Sequence, residues 1–133
     1  MKNCPNLDPA DSSKFKTDIK KRAFQYALDT VNFEDQLNQK DLSVQVMARQ
    51  LLRSATSIGA NIIEAQASSS KKEFTNFLNH SLKSANETKF WLALLRDSGK
   101  AERKPTDTLL TETNELANVL AASILTLKGK RKV

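Results

Sequence analysis

Few side chains in this sequence could do chemistry, and none stands at a spacing that chemistry requires. The one histidine, His80, would need an orienting partner to serve in a Ser-His-Asp triad, and its sequence neighbourhood offers none. The helical zinc-protease pattern HExxH is missing. A ferritin-like di-iron bundle needs Glu-x-x-His on two helices, whereas Phe77 stands three residues before His80. With Cys4 as the one cysteine, neither an intrachain disulfide nor a cysteine-based zinc site can form. The three glycines, Gly59, Gly99 and Gly129, are too far apart for either common nucleotide cradle. No catalytic residue, cofactor or metal ligand is expected, and the chain reads as a non-enzyme.

What remains is charge. Lys and Arg number 21 against 15 Asp and Glu, a net charge of +6 and a pI near 9.6. Such a balance suits contact with nucleic acid or another polyanion, and it also simply aids solubility. The basic residues fall into two sets. Lys14, Lys16, Lys71, Lys72, Lys128, Lys130, Arg131 and Lys132 form the candidate phosphate-contacting set. Arg96, Lys100, Arg103 and Lys104 form the second, near acidic Glu34, Asp35 and Asp41.

Positioning either set requires helices. The 133 residues suit one domain, and three Gly with three Pro are too few turn residues for an all-β fold. Residues 1–11, with Pro5 and Pro9, read as an irregular lead-in, and Ser12 or Ser13 can cap a first helix. Phe15, Ile19, Ala23, Tyr26 and Phe33 recur at helical spacing, with Thr30 in the gap. Phe24, Leu28 and Val31 form a second line on that helix. Asn32 to Asp41 reads as a connection. Helix 2 is expected from near Ser43 to near Ala67, with Val44, Met47, Leu51, Ala55, Ile58 and Ile62 in one stripe. Ser70 and Glu73 fit a capping box for helix 3, which Asp97-Ser98-Gly99 ends. Lys104-Pro105-Thr106 opens helix 4, with Pro105 suited to the first helical position, and Gly129 stops it. The expected fold is all-α, an antiparallel up-down-up-down four-helix bundle over residues 12–128, followed by a basic tail at 129–133. No apolar run is long enough to span a membrane, and no secretory leader is visible, so the default location is the cytoplasm.

Two features exceed the needs of a lone bundle. Phe90, Trp91 and Leu94 point away from the apolar stripe of helix 3 and form a candidate oligomer interface. Helix 2 also carries a polar line, Gln50, Arg53, Ser57, Asn61 and Glu64, beside small residues. Gly59 in its interior costs about 1 kcal/mol relative to Ala, a cost that close packing usually offsets.

Arg53-Ser-Ala-Thr-Ser-Ile-Gly-Ala-Asn-Ile-Ile-Glu64, Lys71-Lys-Glu-Phe-Thr-Asn-Phe-Leu78 and Ser84-Ala-Asn-Glu87 together resemble a known family of four-helix bundle proteins. Its founding members are encoded in intervening sequences of bacterial 23S ribosomal RNA genes. Helices 2 and 3 carry the match, while helices 1 and 4 match only in pattern. Ile63 and Ala65 depart from the family pattern, where a small residue and Gly are common. The resemblance implies a bundle that assembles into homopentamers. It also implies kinship with the accessory proteins of diversity-generating retroelements, which work with a reverse transcriptase and nucleic acid. Carried over by position, the motif residues are Arg53, Asn61, Glu64, Lys72, Glu73, Phe74, Phe77, Leu78, Ser84 and Glu87. Arg53, Asn61, Glu64 and Glu87 are thereby expected to form a polar network within the bundle or between subunits. The leading expectation is a nucleic-acid-associated accessory protein that partners RNA or DNA. The alternative is a protein-interaction module with no nucleic-acid role.

Overall fold

The computed structural model describes residues 14–129, with side chains from residue 19 onward. The expectations for residues 1–11, for a cap at Ser12 or Ser13, and for the tail beyond Gly129 lie outside the described residues. Four helices follow in order: α1 Lys14–Asp35, α2 Leu42–Gln66, α3 Lys71–Asp97 and α4 Arg103–Leu127. Each packs on its chain neighbour, and α4 closes the ring onto α1. This is the expected four-helix bundle. No described helix is long and apolar enough to cross a membrane.

The apolar stripes meet in one core. Val44, Leu51, Ala55, Ile58 and Ile62 of α2 are buried, against Leu92 and Leu95 of α3 and Leu116 and Leu120 of α4. From α1, Ile19, Ala23, Tyr26 and Thr30 complete it. Helix α1 runs past the expected connection to Asp35. The reason is Phe33, which packs on the core one turn after Thr30, with Leu37 buried just beyond the helix. Polar composition marked this stretch as a loop, yet its apolar period continued unbroken.

The helix ends follow local chemistry. Asp41 caps α2 by accepting the Val44 N–H at 3.2 Å. Ser70 accepts the Glu73 N–H at 3.1 Å, and the Glu73 carboxylate reaches back to the Ser69 N–H at 2.9 Å. Gly99 turns the chain after α3 with φ of 78°, a conformation L side chains rarely adopt. Helix α4 begins at Arg103, so Pro105 is its third residue rather than its first. The ring is tolerated there because the first four N–H groups of a helix have no intrahelical acceptor.

Candidate nucleic-acid interface and assembly surface

The antiparallel arrangement gathers the start of α1, the α2–α3 turn and the close of α4 at one end of the bundle. Lys71, Lys72 and Lys128 stand there, all exposed, and none forms an ion pair with a described residue. The side chains of Lys14 and Lys16, and all of Lys130, Arg131 and Lys132, lie outside the described residues.

The opposite end is basic in sequence and partly neutralised in space, with Lys40 and Lys104 exposed and without an ion pair among the described residues. Lys100 Nζ lies 2.7 Å from Asp41 Oδ2. Arg96 bridges Asp97 at 2.8 Å and Asp107 at 2.9 Å, and Arg103 sits 3.9 Å from Asp97. Hydrogen bonds from Lys100 and Arg96 hold the carboxyls of Asp41 and Asp97 below their ordinary range. The same contacts raise the Arg96 guanidinium above its ordinary value, Asp97 first and Asp107 second. The expected antiparallel bundle grouped these cations at one end, near Asp41. Their pairing depends on helix register, which sequence does not display.

The polar line of α2 divides in space. Arg53 pairs with Glu87 of α3 and with Gln50 one turn earlier, at 2.9 Å. Glu87 also accepts the Trp91 Nε1–H at 3.0 Å. Asn61 donates to the Ser57 carbonyl and hydroxyl, both at 2.9 Å, and Ser84 Oγ donates to Ser57 Oγ at 3.0 Å. Glu64 is exposed and stands apart from both groups among the described residues. Beneath this line lies a hydroxyl seam that the sequence reading missed. Ser81 donates to the Ile58 carbonyl at 2.8 Å, and Thr88 to Ser54 Oγ at 2.8 Å, with Ser54, Ser81 and Thr88 all fully buried. Their placement within the apolar stripes was the available signal.

Of the three proposed interface residues, Phe90 is 57% exposed and Leu94 is 40% exposed. Trp91 instead packs partly on the core, with Phe90 edge-on against it. Its indole is anchored by Glu87, so it supports the patch more than it forms it. Val46 and Leu42 are further large apolar side chains exposed on α2. His80 is exposed, edge-on to Phe77. Among the described residues, no cluster of three or more His, Cys, Asp or Glu could hold a metal ion. A shallow hollow on α4, lined by Arg103, Lys104, Asp107, Thr108 and Thr111, opens broadly to solvent.

A family model described as 23S rRNA-intervening sequence protein matches residues 16–122. The chain is also similar to a crystal structure titled as a protein with unknown function from the S23 ribosomal protein family of Bacteroides thetaiotaomicron VPI-5482. The two are 36% identical, the match covers 80% of this chain and 97% of that one, and the TM-score is 0.74. No curated protein matches.

Proposed function

Because the chain belongs to the 23S rRNA-intervening sequence protein family, we propose that it is a non-catalytic cytoplasmic protein that binds nucleic acid through one end of its bundle. One observation carries this reading. Lys71, Lys72 and Lys128 are exposed without an ion-pair partner among the described residues, while at the other end Arg96 and Lys100 are held by carboxylates. Unpaired ammonium groups are free to replace counterions on phosphates, and such contacts position a nucleic acid without reading its bases. The tail that follows Gly129 adds Lys130, Arg131 and Lys132 to the same end of the sequence.

The protein acts as a homo-oligomer, with five subunits the number that the family resemblance implies. Exposed Phe90 and Leu94 supply the apolar contact, supported from beneath by Trp91. In a ring of parallel subunits, the basic ends repeat around one rim.

Truncation after Leu127 tests the nucleic-acid reading. It removes Lys128, Lys130, Arg131 and Lys132 and leaves the buried stripe of α4 whole. The truncated protein is expected to keep its helical content and bind a labelled oligonucleotide more weakly, with a shallower salt dependence. Unchanged binding would move the contact away from the tail. The second reading, a protein-interaction module, is favoured by the same exposed Phe90 and Leu94. It takes over if the full-length chain binds no nucleic acid at low salt.

A further inference from the structure

Helices α3 and α4 carry six carboxylates: four turn to other faces, and Asp97 and Asp107 are neutralised by Arg96 where the outer groove between the helices begins. Glu73 turns into the α2–α3 turn, accepting the Ser69 N–H at 2.9 Å. Glu87 is held on the α2 side by Arg53 and Trp91. Glu112 and Glu115 hold Arg22 of α1, at 2.9 and 2.8 Å. Asp97 and Asp107 hold Arg96 at the α3–α4 turn, at 2.8 and 2.9 Å.

The Arg96–Asp107 pair also fixes the register of the two antiparallel helices. Seven residues is nearly two helical turns, so stepping by sevens keeps to the same line on each helix. From that pair, the step places Lys89 opposite Asn114, Leu82 opposite Ala121 and Thr75 opposite Lys128. Asn86 and Asn118 flank the line. Asn86, Asn114 and Asn118 are exposed and Lys89 is half-buried, with no ion-pair partner among the described residues. The groove descends from Lys89 to Lys72 and Lys128 at the basic end, about 25 Å at 1.5 Å per residue. Over that length it offers ammonium and amide groups and no free carboxylate.

We propose that this groove is a track for single-stranded nucleic acid. Lys89 and Lys128 contact phosphates, and Asn86, Asn114 and Asn118 meet base edges and riboses. The proposal rests on the nucleic-acid reading above and extends it from the end of the bundle along its side. Charge complementarity selects a polyanion. The amides narrow the choice, since each offers both donors and an acceptor, as base edges do, whereas an acidic peptide's carboxylates call for donors alone. A single strand exposes the Watson–Crick edges, which a duplex pairs away. Packed helix axes lie about 8–10 Å apart, which leaves a furrow too narrow to seat a duplex.

The test uses the full chain and a labelled oligouridylate, titrated at two salt concentrations. Lys89→Ala is expected to flatten the plot of log affinity against log salt by about 0.7, one phosphate contact on a single strand. Asn114→Asp returns a carboxylate to the groove at nearly constant shape and should weaken binding several-fold. It remains decisive if Lys89→Ala folds poorly. Lys40→Ala, an equal loss of charge at an exposed position in the α1–α2 connection, should behave as the parent. If the parent binds and all three variants match, the groove is overturned while end-on binding stands. Equal affinity for a duplex of the same length overturns the single-strand assignment. If the parent binds nothing at low salt, the groove and the nucleic-acid reading fall together.

Discussion

Tyr26 of α1 hydrogen-bonds Thr113 of α4 across the face that closes the bundle, and both side chains are buried. Thr113 Oγ1 gives its own proton to the Leu109 carbonyl at 2.7 Å, so the phenol is the donor in the pair. Burial pushes the Tyr26 hydroxyl up to about 12.

That relationship predicts an alkaline transition. A group whose folded pKa is raised stabilises the fold fully below its unfolded pKa, about 10 for tyrosine, and the contribution is lost as pH rises through the folded value. Tyr26 is the one tyrosine in the chain, so tyrosinate absorbance reads it alone. The native protein should titrate near 12 and the urea-unfolded protein near 10. Tyr26→Phe should cost about 1 kcal/mol at neutral pH and remove this source of alkaline sensitivity. A native midpoint near 10 would mean the ring is solvated.

Gly59 faces Ala23, where an added Cβ would meet the Ala23 Cβ at 3.4 Å, the near limit of ordinary contact. Close approach of α1 and α2 therefore accommodates one methyl group and little more. Gly59→Ala should raise stability by up to about 1 kcal/mol through helix propensity. Gly59→Val should lower it by about 1–3 kcal/mol through overpacking. Urea midpoints of the two variants should lie on opposite sides of the parent.

The polar motif should separate in the same assay. Glu64 is exposed and apart, so Glu64→Ala should stay within about 0.5 kcal/mol of the parent. Glu87→Ala strips the acceptor from Trp91 and the partner from Arg53, and should cost about 1 kcal/mol. It should also shift the emission of the chain's one tryptophan. Equal losses at both positions would return Glu64 to a buried network.

Helix number, the stripe of α2 and the Ser70 and Gly99 caps were legible because each depends on neighbours a few positions apart. The end of α1 was misplaced because the polar residues Asn32 and Glu34 outweighed Phe33, whose helical spacing and packing on the core carry the helix on to Asp35. The site was less legible for a related reason. Arg96 with Asp107, Lys100 with Asp41 and Arg22 with Glu112 are cross-helix pairs, and spacing along one helix cannot say which carboxylate each cation meets. Sequence placed Asp41 near the second basic set, and register supplied Asp107 as the further partner of Arg96.

Assembly depends on the patch at Phe90 and Leu94. Light scattering of the parent at micromolar concentration should give several times the 14.8 kDa of one chain. Phe90→Asp with Leu94→Asp should shift it toward that single-chain mass with helical content retained, because both positions are already exposed. A parent that runs as a monomer would remove the oligomer from the account.

The most direct measurement is the affinity of the full-length chain for a labelled single-stranded oligonucleotide across a series of salt concentrations. Binding through unpaired lysines predicts detectable affinity at low salt and a linear fall of log affinity with log salt. The slope should be about 0.7 for each phosphate contacted. Affinity that does not change with salt, or no binding at the lowest salt, would contradict it.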